Sequence, residues 1–139
     1  MAATSVLDRL SERPGLRHHH RIQVTLKASL ERGGESLPDT TINTLSRCGL
    51  QVVCPPETLE QLIPNGQPVA PHMAIPVHVT FRLPIHGAGS SCIRARCGVV
   101  MVRRTARDCY HVGMSFTALA DDAHALLEHY IREQLAAGA

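Results

Sequence analysis

Hydrophobic and polar residues alternate with a period of two over much of the chain. Ile22, Val24, Leu26, Ala28 and Leu30 share one face of the stretch 22–30, which predicts a half-buried strand. Val77, Val79, Phe81 and Leu83 alternate with His78, Thr80 and Arg82 and predict another. Cys92–Val102, bent at Gly98, predicts a third, and Cys109–Phe116 a fourth, with Tyr110, Val112, Met114 and Phe116 in phase. Thr40, Thr41 and Ile42 mark a strand at about 39–45, and Leu50-Gln51-Val52-Val53-Cys54 resumes it after Ser46-Arg47-Cys48-Gly49. Gly33-Gly34, the Pro-rich stretch 64–76, Pro84–Ser90 and polar Arg103–Asp108 are expected as turns or loops.

Helical patterns occupy three places. Residues 3–12 carry Val6 and Leu10 on one face and stop at Pro14-Gly15. Glu57–Ile63, after Pro55-Pro56, predicts one or two turns. Asp121 or Asp122 opens an amphipathic helix carrying Leu126, Leu127, Tyr130, Ile131 and Leu135, with Gly138 just beyond it. Short strands followed by a closing helix suggest a mainly β fold, a small antiparallel barrel or sandwich.

Composition narrows the setting. The 139 residues are the size of one domain, and 44 % hydrophobic with 19 % charged residues is a globular balance. The longest uncharged stretch, Gln61–Phe81, has the length of a membrane span, but Pro64, Pro68, Pro71 and Pro76 break any such helix, so no membrane insertion is expected. Asp8, Arg9, Glu12 and Arg13 interrupt any signal-like apolar run, and a cytoplasmic location is expected. A net charge of +2 is too small for a general nucleic-acid binder. All but one of the 14 basic residues are Arg, the exception being Lys27. The guanidinium fork suits phosphate and guanine edges, although gene base composition also produces such a bias. The five cysteines are odd in number and form no CxxC, so they are expected to be reduced and mostly buried. With only Phe81, Phe116, Tyr110 and Tyr130 as aromatics, the core must be aliphatic.

Two short motifs carry candidate chemistry. Arg17-x-x-x-Arg21 stands at the entrance of the 22–30 strand, where two guanidiniums can converge on an anion; the alternative is a solvated basic turn. Thr44-Leu45-Ser46-Arg47-Cys48-Gly49-Leu50 reads as a tight turn, in which Gly49 permits a positive φ and Ser46 can cap the turn or donate to a ligand. Of His18-His19-His20 only His18 and His20 share a face, and no cysteine pair completes a metal site, so these histidines add pH-dependent positive charge. Asp108-Cys109-Tyr110-His111 contains catalytic residue types, but alternation sends neighbours to opposite faces, and Tyr110 is expected buried. Arg103 or Arg104, at the end of the Gly98 strand, is a candidate for an extra ligand contact, against an exposed turn arginine. No nucleophile–base pair, metal site or nucleotide-hydrolysing motif is present, and no enzyme is expected.

Taken together, Arg17-x-x-x-Arg21, a strand and x-x-Ser46-x-x-Gly49 resemble the PilZ domain family, whose pattern is RxxxR followed by [D/N]xSxxG. Cys97-Gly98-Val99-Val100-Met101-Val102-Arg103 looks like the family's Gly-x-Val-Val strand. Tyr110-His111-Val112-Gly113-Met114-Ser115-Phe116 looks like its Tyr-x-Ile-Gly-x-x-Phe strand. The resemblance spans residues 15–135 and leaves 1–14 as an N-terminal segment. It implies a six-stranded antiparallel β-barrel with a C-terminal helix and a short N-terminal helix, and a receptor for the bacterial second messenger cyclic di-GMP. By position, Arg17 and Arg21 would grip phosphate and guanine, Ser46 would bind near the phosphate or base, and Gly49 would let the turn approach the ligand. Leu16 implies one ligand per domain rather than an intercalated dimer. Thr44 departs from the pattern's Asp/Asn, and a hydroxyl offers less than an amide or carboxylate. Asn43 lies one place earlier and is expected on the other sheet face.

The leading expectation is a sensor with no cofactor beyond its ligand. Its N-terminal segment would wrap onto cyclic di-GMP and change binding to an unidentified protein partner, since the length is expected to leave no room for an output domain. The alternative is a protein-interaction adaptor of the same fold that has lost ligand binding.

Overall fold

The computed structural model describes residues 21–63, 75–85 and 89–138. Along them run β1 (Ile22–Arg32), β2 (Glu35–Ser36), β3 (Thr40–Leu45), β4 (Gly49–Cys54), α1 (Pro56–Leu62), β5 (Ile75–Ile85), β6 (Gly89–Ala106), β7 (Cys109–Leu119) and α2 (Asp121–Gly138). Every strand pairing is antiparallel, in the order β2-β1-β3-β4-β7-β6-β5. β1 also pairs with β5, from Ala28 opposite Phe81 to Glu31 opposite His78. That pairing joins the two ends of the order, so six long strands form a closed ring. The two-residue β2 hangs from β1 across the Gly33-Gly34 turn, whose φ values of 60° and 85° favour glycine.

Alternation decides what fills the ring. Val77, Val79, Phe81 and Leu83 are all at most 2 % exposed, while His78 and Arg82 between them are exposed. Ala28, Leu30, Ile42, Leu45, Val52, Ile93, Val99 and Val112 join them inside. Each of these Val, Leu, Ile and Phe side chains contributes about 1.5–3 kcal/mol on full burial. α2 packs against β1 and β5 through buried Ala123, Leu127, Tyr130 and Ile131. Asp122 accepts a hydrogen bond from the Ala123 N–H at 2.8 Å, and the His124 N–H donates to Ala120 O at 2.8 Å at the helix start. α1 begins with Pro56, where a missing N–H leaves no intrahelical bond unmade. Among the described residues, no helix is long and apolar enough to cross a membrane.

Several boundaries differ from expectation. Ile75 and Pro76, expected in a loop, open β5; Pro84 and Ile85 end it, and Gly89 and Ser90 open β6. β6 also continues through Arg103 to Ala106, leaving only Arg107-Asp108 as the turn. This end of the hairpin is solvent-exposed and held by polar bonds, Arg104 donating to Ala106 O and Arg107 O and Thr105 to Cys109 O, so no apolar alternation marks it. Gly138 lies within α2, and Leu135 is 39 % exposed rather than packed, because the last turns run past the ring. Only Cys54 and Cys97 are buried. Cys48 in its turn and Cys92 on an outward position of β6 are exposed, and Cys109 and Tyr110 are half-buried. The expected helix at 3–12 and most of the Pro-rich segment lie outside the described residues.

Candidate ligand site

Strand register brings the two sequence motifs together. In the β1–β3 pair Ile22 lies opposite Leu45 and Gln23 opposite Thr44. One step beyond Ile22 is Arg21, and one step beyond Leu45 is Ser46. The exposed Arg21 therefore stands at the mouth of the β3–β4 turn. Arg17, with Leu16 and the three histidines, lies outside the described residues.

The turn is built by Ser46. Its hydroxyl accepts from the Cys48 and Gly49 N–H groups, each at 3.2 Å, and donates to Gly49 O at 3.3 Å, while its own N–H donates to Gly49 O at 2.9 Å. A hydroxyl has one donor and two acceptor sites, and all three are taken here. Gly49 does not use the positive φ that glycine permits. Glycine is required for a different reason: a Cβ there would fall on the Met114 carbonyl oxygen of β7. Gly49 pairs with Ser115, and the Phe116 N–H donates to Cys48 O at 2.7 Å, so the turn is pinned to β7. Arg47 reaches from the turn to α2, where its guanidinium meets Glu128 at 3.1 Å; Glu128 also holds Arg132 at 3.2 Å.

A bulge corrects the expected placement of Asn43. The β3–β4 register runs from Ile42 opposite Val52 to Thr44 opposite Gln51, so Asn43 has no partner of its own. The extra residue breaks the alternation. Asn43 Oδ1 accepts from Gln51 Nε2 at 3.1 Å, on the same side of the sheet as the Thr44–Gln51 row. Gln51 Nε2 also lies 3.2 Å from His111 Nδ1. Asn43, Thr44, Gln51 and His111 thus form a polar strip across β3, β4 and β7, on the face away from the core. Arg103, opposite His111 in the β6–β7 pair, extends that strip, but it stands three strands from Thr44, about 14 Å at ordinary strand spacing. Motif reasoning passed over Gln51 and His111. The available signal was Gln51 itself, a polar residue inside the otherwise apolar run Leu50–Cys54.

Gln51 is buried and its amide nitrogen already meets Asn43 and His111, so the strip offers the Asn43 amide, the Thr44 hydroxyl, an imidazole and an adjacent guanidinium, the means to hold a polar anion. Among the described residues, no group of three or more His, Cys, Asp or Glu could hold a metal ion. Burial, with a smaller contribution from Cys109, pushes the Cys54 thiol up to about 11, and burial pushes Cys97 up to about 12, so both stay protonated near neutrality.

Residues 15–133 match the family model of the PilZ domain. No curated protein matches the chain. The fold is similar to that of the Bacillus subtilis inhibitor of motility, MotI/DgrA, with TM-score 0.62 and 20 % identity over 86 % of this chain and 51 % of that one. It is also similar to the PilZ domain of Escherichia coli YcgR with c-di-GMP, with TM-score 0.60 and 11 % identity over 91 % and 95 % of the two chains. The K. pneumonia MrkH–c-di-GMP complex gives TM-score 0.60 and 13 % identity over 88 % and 53 %. The chain therefore spans about half the length of MotI and MrkH.

Proposed function

This chain belongs to the PilZ domain family, and from that premise we propose that it is a non-catalytic cyclic di-GMP receptor of the bacterial cytoplasm, whose ligand-bound form changes contact with a separate protein. The observation that carries this reading is the register that sets Arg21 beside the Ser46–Gly49 turn and the Thr44 row. In it Arg21, with Arg17 from the preceding segment, clamps phosphate and guanine through charge-assisted bonds. Ser46 and Gly49 hold the turn in place, Asn43 and Thr44 offer the neighbouring polar groups, and Arg103 is an outlying contact. The closed six-stranded ring is the family's barrel, with 15–135 as the domain and 1–14 as a leading segment. The YcgR domain and MrkH carry c-di-GMP in their structures, which supports the ligand class.

Isothermal titration with cyclic di-GMP tests the reading. Wild type is expected to bind at micromolar concentration or tighter, one ligand per chain, and Arg17→Ala and Arg21→Ala are each expected to abolish the signal. The second reading, an adaptor without ligand, is favoured by Thr44 at the Asp/Asn position. A folded wild type that gives no binding heat would select it.

A further inference from the structure

At the opposite end of β1, roughly 30 Å along the strand from Arg21, the outer face of the ring carries a second set of cations. The β5–β6 register places Thr80 opposite Arg94 and His78 opposite Arg96. The β1–β5 register adds Glu31 opposite His78. These residues line a groove of about 750 Å³ walled on one side by Ala118, Leu119 and Ala120 at the end of β7. Arg94 and Arg96 are exposed, and their guanidiniums make no ion pair among the described residues. Arg82, one outward position beyond Thr80, donates to Ser90 at 3.3 Å and adds positive charge along the same face. Glu31 is the one carboxylate in the lining.

We propose that this groove docks an extended acidic segment of a partner protein, with carboxylates at alternate positions. Arg94 and Arg96, two apart on one strand, project about 6.5–7 Å from each other, the spacing of alternate side chains in an extended peptide. Each guanidinium can take one carboxylate in a bidentate pair. The Ala118–Ala120 wall suits small side chains between the acidic ones. The lining holds no Phe, Tyr or Trp ring on which a base could stack, which favours a peptide over a nucleic acid. This surface does not depend on the cyclic di-GMP reading.

The test is fluorescence anisotropy at low ionic strength with the full chain and a labelled peptide of alternating Glu and Ala. Saturable binding is expected, weakened about tenfold or more by the double substitution Arg94→Gln/Arg96→Gln. Arg107→Gln, which removes one positive charge from the remote β6–β7 turn, is expected to weaken it less than twofold. Arg94→Lys/Arg96→Lys keeps charge and stem and loses only the fork, so an intermediate loss is expected even if the Gln pair fails to fold. Absence of saturable binding overturns the proposal, as does an equal loss in Arg107→Gln. An oligothymidylate bound as tightly as the peptide, and equally sensitive to the Arg94/Arg96 pair, assigns the face to nucleic acid and also overturns it.

Discussion

A single methyl group separates glycine from alanine, and at position 49 the β7 backbone leaves no room for it. Gly49→Ala is therefore expected to lose about 1–3 kcal/mol of stability or more. Ser46→Ala, which strips the turn of three hydroxyl bonds, is expected to lose about 1–3 kcal/mol. Arg21→Ala, at an exposed position, is expected to stay within about 0.5 kcal/mol of wild type in urea melts while losing cyclic di-GMP in titration. That contrast separates the residues that build the turn from the one proposed to meet the ligand. Asn43→Ala is expected to weaken ligand binding by about 2- to 12-fold, the loss of one hydrogen bond, and an unchanged affinity would remove Asn43 from the site. The need for glycine at 49 was legible from the motif, but its cause was not, because close approach depends on which strand lies alongside. The face of Asn43 was likewise hidden: a bulge exists only relative to a partner strand, and a lone strand reads as simple alternation.

Elements were most legible where one face meets the core and the other meets water. The 77–83 part of β5 was read residue by residue for that reason, though not its two ends, and the buried stripe of α2 emerged from its helical spacing. The far end of β6 was read as a turn because both of its faces are wet, and Leu135 was read as core because periodicity does not say where a helix leaves its support. The packing of α2 predicts a sharp contrast along one helix. Leu127→Ala, fully buried, is expected to cost about 2–5 kcal/mol, whereas Leu135→Ala is expected to change stability by no more than about 0.5 kcal/mol. Chemical denaturation of the two variants measures both.

For the molecule as a whole, the two buried thiols set an alkaline limit. An unfolded chain releases these protons near pH 9.0, while the fold holds them until about 11 at Cys54 and about 12 at Cys97. Above pH 9 the native state binds more protons than the unfolded state. The thiol contribution is thus fully present below pH 9 and is lost progressively as pH rises through the folded values. The urea midpoint is expected to fall between pH 9 and 11, less steeply in Cys97→Ala. Closure of the ring has a consequence of another kind, in the order of events during synthesis. β1 emerges from the ribosome early and soon finds β3, but its other neighbour comes much later. Roughly 50 residues separate Ala28 from Phe81, so at about 5–20 residues per second the closing edge waits about 3–10 s for its mate. Throughout that interval the backbone groups that will meet β5 are open to any other strand. Lys27 and Glu31, charged residues set along this edge, are placed to discourage a wrong neighbour until β5 is made.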